Sequence, residues 1–323
     1  MATDMVLHEL ELEVEVRSVV REAEGVVSLT LALDDGRALP PWTPGAHIDL
    51  ILPTDGDEPL VRQYSLCGDT RDRGTWQVGI LRTPDSRGGS EYVHDRIAAG
   101  DTVRVRGPRN HFTLVPSRKY LFIGGGIGIT PLLPMIAEAA GAGADWTLVY
   151  GGRSRGSMAF LPRLADHADR VRLMPEDEVG RLDLGAILST PTPDTLIYCC
   201  GPEGLLDAVE AASSNWPAGS LHLERFSAKN TGGENTEFDV ILERSGVTLT
   251  VPADKSIYQV CKDNGIAVLG SCLEGICGTC ETDIVDGEAD HRDVVLDDDE
   301  RAANTSLMIC VSRCRGRELT LDL

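Results

Sequence analysis

The run GSCLEGICGTC starts at Gly270, and a further cysteine follows in LMICVSRC. Cys272, Cys277, Cys280 and Cys310 therefore stand in a C-x4-C-x2-C pattern with 29 residues before the last. Four thiolates at this spacing are what a [2Fe-2S] cluster needs to hold its two irons. Gly275 and Gly278 let the loop curl so that its amides point at the sulfurs, which stabilises the extra negative charge of the reduced cluster. Zinc is the rival metal. Structural zinc sites, however, pair two short C-x2-4-C knuckles, and only one is present here. The total of nine cysteines is odd and argues against a disulfide framework, so Cys261 and Cys314 read as compact buried hydrophobes.

At 323 residues and 42% hydrophobic content the chain is long and apolar enough for two or three cores. No apolar run reaches the length of a bilayer span, and MATDMVLHELELEVEV lacks the basic start and apolar core of a secretory signal, which predicts a cytoplasmic protein. A formal net charge of -21 repels nucleic acid and anionic membrane surfaces, so neither is expected as a partner. From Glu237 onward 18 acidic residues face 8 basic ones, a net of -10 over 87 positions. That density suits docking onto a basic patch of another protein, and charge alone fits a solvated surface kept for solubility equally well.

Three textures follow one another along the chain. From about Glu11 to Leu114 the segments LELEVEVRSVV, VVSLTLAL, HIDLILP, WQVGILR and DTVRVRGP alternate apolar and polar positions, which predicts a small antiparallel barrel over 1–115. From Tyr120 apolar strands alternate with helical stretches, as in a parallel α/β domain covered on both faces, over 116–226. SAKNTGGENTE is polar and aperiodic and marks a linker at 227–236. The last segment, 237–323, opens with a hairpin turning near Ser245-Gly246 and a short helix before the cysteines.

Residues 237–323, ending in the strand LTLDL, resemble a plant-type ferredoxin domain, which implies a β-grasp fold. Val61-Arg62-Gln63-Tyr64-Ser65-Leu66 resembles the R-x-Y-S motif of the ferredoxin-NADP reductase superfamily. Within that superfamily the chain is similar, along nearly its whole length, to the phthalate dioxygenase reductase branch. The resemblance implies a flavin, FMN in preference to FAD. Arg62 would meet its phosphate, Gln63 and Tyr64 its ring or ribityl chain, and Ser65 its N5 edge. Arg87, Gly88, Gly89 and Ser90 open a helical stretch, a place that binds phosphate readily, and match the branch's R-G-G-S. Ile80, Leu81 and Arg82 would lie beneath the ring.

Gly124-Gly125-Gly126-Ile127-Gly128-Ile129-Thr130-Pro131 follows a strand and opens a helix, as a dinucleotide phosphate loop does. Its form is not a strict G-x-G-x-x-G but the G-G-x-G-x-T-P of the reductases, which implies roles for Gly125, Gly126, Gly128, Thr130 and Pro131 in cofactor binding. Cys200-Gly201-Pro202-Glu203 matches the family's C-G-P motif and would bring the Cys200 thiol to the nicotinamide. Arg153 and Ser154 follow the second strand, where the adenosine ribose sits. Arg153 and Arg155 are both able to receive a 2′-phosphate, so NADH is expected with NADPH left open. Glu224 and Phe226 match an acid-x-aromatic ending, in which Phe226 would cover one flavin face. The catalytic set implied is Ser65, Thr130, Cys200 and Phe226, with Cys272, Cys277, Cys280 and Cys310 on the metal.

The function implied is the reductase component of a two-component oxygenase acting in aromatic or amine hydroxylation or demethylation. Electrons would pass from NADH through flavin to the cluster and on to a terminal oxygenase, a Rieske non-haem iron protein or, alternatively, a cytochrome P450. A rival from a different class is a non-catalytic interaction protein whose cysteines clip zinc.

Overall fold

The computed structural model describes residues 10–53, 59–83, 88–226 and 235–323. The chain divides into two compact units, one running to Glu224 and the other from Arg225 to Leu323. The expected linker lies mostly at 227–234, outside the described residues.

In the first unit, β1 (Glu11–Ala23), β2 (Val26–Ala32), β3 (His47–Leu52), β4 (Leu60–Ser65), β5 (Trp76–Leu81) and β6 (Thr102–Arg109) form a six-stranded antiparallel sheet in the order β4-β3-β6-β1-β2-β5. A bridge between Leu66 and Val78 ties the end of β4 to β5 and closes the sheet on itself. Val14, Leu29, Leu50, Trp76, Val78 and Val105 fill its interior, as the alternation of these strands requires. The helix α1 (Gly89–Arg96) follows β5.

The second sheet of this unit is parallel: β7 (Lys119–Gly125), β8 (Asp145–Gly152), β9 (Val171–Pro175), β10 (Thr195–Cys200) and β11 (Leu221–Glu224), in the order β11-β10-β7-β8-β9. Between its strands run α2 (Ile129–Gly141), α3 (Leu161–Leu164), α4 (Glu176–Val179), α5 (Leu184–Leu188) and α6 (Glu203–Ala212). Separate apolar clusters pack the two faces, one around Phe122, Leu148 and Ile136 and one around Ile123, Ile197 and Leu206. Strand order reverses between β7 and β10, which places the ligand-binding crevice of a doubly wound sheet at their carboxyl ends.

In the second unit, β12 (Phe238–Leu242), β13 (Val247–Val251), β14 (Glu281–Asp286), β16 (Ser306–Met308) and β18 (Glu318–Leu321) form a mixed sheet in the order β13-β12-β18-β14-β16, with β15 (Ala289–Asp290) and β17 (Arg313–Cys314) as a small second pair. The parallel pairing of β12 with β18, flanked by antiparallel neighbours, is the arrangement expected of a β-grasp module. It carries α7 (Ile257–Asp263) and α8 (Asp298–Ala303). Among the described residues no helix is long and apolar enough to cross a membrane.

Candidate electron-transfer site

Arg62 of β4 and the amino end of α1 converge at the barrel. Gly88, with φ +90°, turns the chain into α1, and a Cβ on Gly89 would stand 2.5 Å from Cγ of Arg62. The Arg62 stem therefore crosses the amino end of the helix, joining a guanidinium to backbone N–H groups that have no partner within the helix. These residues fit a flavin phosphate. Ser90 is buried and accepts a hydrogen bond from the Thr83 N–H at 3.1 Å, so its hydroxyl ties α1 to the end of β5. Arg82 is paired with Asp95 of α1 at 2.6 and 2.8 Å, and Arg87 lies outside the described residues.

Beside Arg62 on β4, the Gln63 amide donates to the buried Asp49 at 2.9 Å. Burial pushes the Tyr64 phenol up to about 12, keeping it neutral. Ser65 is buried at the end of the strand. On β5, Ile80 is fully buried and Leu81 partly so. A Cβ on Gly79 would fall 2.8 Å from Cγ2 of Thr130, which opens α2. That close approach brings the barrel strand to the glycine loop of the parallel sheet. The Thr130 hydroxyl itself donates to the Ile127 carbonyl at 2.9 Å, holding the loop's turn.

The switch point is built glycine against glycine. A Cβ on Gly128 would lie 2.2 Å from the Cys200 carbonyl oxygen, and one on Gly125 would lie 2.8 Å from Cδ of Pro202. A Cβ on Gly201 would in turn lie 3.0 Å from Cα of Gly125. Only residues without a side chain let these loops touch. Gly126 takes φ +54° with open space around it, while Pro131 is buried in the first turn of α2. Pro202 caps α6 and Glu203 occupies its first turn.

Glu224, matched in sequence only as the acid of the acid-x-aromatic ending, lies at the centre of this junction. Cys200 and Glu224 are register partners on β10 and β11, and the Cys200 Sγ donates to Oε2 of Glu224 at 3.8 Å. Ser65 also lies within hydrogen-bonding reach of that carboxyl. Burial raises the Glu224 pKa to about 8 against the lowering effect of both partners. Burial, reinforced by Glu224, also pushes the Cys200 thiol well above its ordinary range. Near neutral pH the site therefore presents an uncharged Glu224 carboxyl bonded to Cys200 on one side and Ser65 on the other. Phe226 falls in the second unit and is 40% exposed.

In the second unit Cys272, Cys277, Cys280 and Cys310 are all buried. Cys272 lies within hydrogen-bonding reach of Cys277 and Cys310, and Cys310 of Cys280. Hydrogen bonds from Cys277 and then Cys310 pull the Cys272 thiol down. The same contacts, with burial, push Cys277 and Cys310 up. Four buried sulfurs gathered this closely fit a cluster ligated by four cysteines.

Gly275 and Gly278 take φ +70° and +73°, and the Glu274 N–H reaches the Cys272 sulfur at 3.3 Å, so the loop turns an amide toward a sulfur as expected. Asp293, buried and outside every motif, accepts N–H bonds from Val295 and Leu296 at 3.0 and 2.9 Å, while the Val294 N–H donates to the Gly275 carbonyl at 3.0 Å. It thereby pins a distant segment against the cysteine loop. Cys261 and Cys314 are buried in the core of this unit.

Residues 13–114 match the oxidoreductase FAD-binding domain family, and residues 240–315 match the 2Fe-2S iron-sulfur cluster binding domain family. The chain is 41% identical over 317 residues to the carnitine monooxygenase reductase subunit of Escherichia coli (strain K12), covering 96% of this chain and 98% of that protein. It is 37% identical over 319 residues to the phthalate dioxygenase reductase of Burkholderia cepacia, covering 97% of each. Among solved structures, a phthalate dioxygenase reductase superposes with a TM-score of 0.71 at 36% identity over 97% of this chain and 98% of that one. An intact type IV self-sufficient cytochrome P450 monooxygenase superposes with a TM-score of 0.90 at 45% identity, and there this chain spans 41% of the longer protein.

The match to an FAD-binding family overturns the expectation of FMN. The physical reason is that one arginine and one helix end offer a place for a single phosphate, which both flavins carry next to the ribityl chain.

Proposed function

Because the chain belongs to the phthalate-dioxygenase-reductase-like family of NAD(H)-dependent flavin and [2Fe-2S] reductases, we propose that it is the reductase component that supplies a terminal oxygenase with electrons. The observation that carries this reading is the meeting of Ser65, Cys200 and Glu224 where the barrel joins the switch point of the parallel sheet. Flavin bound at the barrel supplies the step-down from a two-electron hydride donor to one-electron carriers.

The chain's own residues do the positioning. Arg62 and the amino end of α1 hold the flavin phosphate. The apposed loops at Gly125, Gly128 and Gly201 leave room for a dinucleotide to lie flat across the sheet. Cys200, kept as a neutral thiol, provides a surface for the nicotinamide without acting as a nucleophile toward it, and Glu224 keeps a proton beside Ser65. Thr130 fixes the loop between the two cofactors, and Cys272, Cys277, Cys280 and Cys310 hold the cluster. Phe226 as the cover of the flavin face belongs to the same reading, as do Arg153 and Ser154 at the adenosine ribose.

Relatives named as reductase subunits of monooxygenases and dioxygenases favour a Rieske-type oxygenase as the acceptor. The likeness to a self-sufficient P450 supports the second reading, a P450 acceptor. A cytoplasmic location fits nine cysteines of which none forms a disulfide. The test is steady-state turnover with NADH. Ferricyanide and cytochrome c should both be reduced, and removing the iron should abolish cytochrome c reduction while sparing ferricyanide. Equal loss of both would contradict the assigned order of carriers.

A further inference from the structure

At the carboxyl end of the parallel sheet, two charged segments leave the strands side by side. Gly152, the last residue of β8, pairs with Pro175, the last of β9. Arg153 and Arg155 therefore emerge next to the run Glu176-Asp177-Glu178 that forms the first turn of α4. The two segments are locked together. The Asp177 N–H donates to the Arg153 carbonyl at 3.2 Å, and Arg155 forms a two-point pair with Glu178, Nε to Oε1 at 3.1 Å and Nη2 to Oε2 at 3.0 Å. On its other side the Arg155 loop is fixed to the turn between β1 and β2, where the Glu24 N–H donates to the Gly156 carbonyl at 2.9 Å.

In a doubly wound sheet the pyrophosphate lies at the first glycine loop, here after β7, and the adenosine ribose by the end of the next strand, here β8. We infer that Glu178, by engaging both faces of the Arg155 fork, sets the preference of this site for NADH over NADPH. The inference rests on reading the parallel sheet as the dinucleotide domain.

A 2′-phosphate is recognised best by a guanidinium that offers two parallel N–H groups. In this chain that fork is already taken by a carboxylate. A 2′-phosphate has to displace Glu178 and then sit beside its carboxylate, whereas a 2′-hydroxyl does neither. The exposed ion pair contributes little to stability by itself. Its effect is on which ribose the pocket accepts. The Arg153 guanidinium is exposed and has no partner among the described residues, so it keeps some attraction for phosphate. The preference is therefore graded, not absolute.

The test uses the holoprotein and the variant Glu178→Gln. The ratio of kcat/KM for NADPH to that for NADH should rise about tenfold, the order expected of a charge-assisted contact regained. Equilibrium binding gives a readout independent of turnover: adenosine 2′,5′-bisphosphate should tighten by a similar factor and 5′-AMP should not. Adding Arg155→Ala to Glu178→Gln should cancel the gain. An unchanged ratio, equal tightening of both nucleotides, or a gain that survives the loss of Arg155 would overturn the inference. A wild-type protein that binds neither NADH nor 5′-AMP would overturn the dinucleotide-domain reading, and the inference with it.

Discussion

The Sγ of Cys200 lies 3.8 Å from Oε2 of Glu224 across the pairing of β10 with β11, and this contact joins the thiol of the C-G-P turn to a carboxyl that burial keeps protonated at neutral pH. It gives the proposed hydride-transfer site a titration of its own.

Glu224 ionises near pH 8 in the folded protein, against about 4.5 for the ordinary carboxyl. NADH-to-ferricyanide turnover should therefore fall as pH rises through about 8, and Glu224→Gln should flatten that limb of the profile. The sign for stability is the same. A carboxyl whose folded pKa is raised favours folding fully below its unfolded value, and that contribution is lost as pH rises through the folded one. Thermal melts of wild type and variant across pH 5 to 9 check it: the gap should grow in the variant's favour toward pH 8.

Cys272, Cys277, Cys280 and Cys310 should each be required for iron, and Cys261 and Cys314 should not. Iron counted after each Cys→Ser change decides this. Loss of iron from Cys314→Ser with retention in Cys310→Ser would reassign the ligands. Asp293→Asn should leave the ligands in place but weaken the loop, because its carboxylate accepts two backbone N–H groups beside Gly275. Faster cluster loss on mild heating is the expected sign.

Partner docking is predicted to depend on salt. Asp297 and Glu300 cap α8 reciprocally, each side chain accepting the other's N–H at 2.8 Å, so their charge is committed to the helix end. Asp298 and Asp299 are exposed and make no such bonds among the described residues. Electron transfer to an oxygenase should drop steeply with ionic strength, because screening acts over about 8 to 10 Å. Ferricyanide reduction at the flavin should change much less. Asp298→Asn with Asp299→Asn should reduce the salt slope of the first reaction only. Equal slopes for the two reactions would assign the acidic surface to solubility.

The cysteine loop and the glycine loop were legible in the sequence because their chemistry depends on residues close together in the chain, where spacing is geometry. The barrel strands were legible too, through their alternation, as was the hairpin at Ser245-Gly246. Glu224 as a site residue was not, since its environment is made by a neighbouring strand 24 positions away and by Ser65 of a different sheet. The Arg155–Glu178 pair and the Asp293 pin were hidden for the same reason. FAD was missed because the motifs point to a place for one phosphate, a group common to both flavins. In the acidic run at 297–300 the residue types are alike, and only the helix geometry separates the capping Asp297 and Glu300 from Asp298 and Asp299.

The central claim, that this chain moves electrons from NADH through a flavin to a [2Fe-2S] cluster, is tested most directly by anaerobic titration of the holoprotein with NADH, followed by visible absorbance and low-temperature electron paramagnetic resonance. The account predicts that the flavin and cluster bands bleach together and that a reduced [2Fe-2S] signal appears, with its loss in Cys310→Ser leaving flavin reduction intact. Flavin bleaching with no cluster signal in the wild type, or a protein without either chromophore, would contradict it.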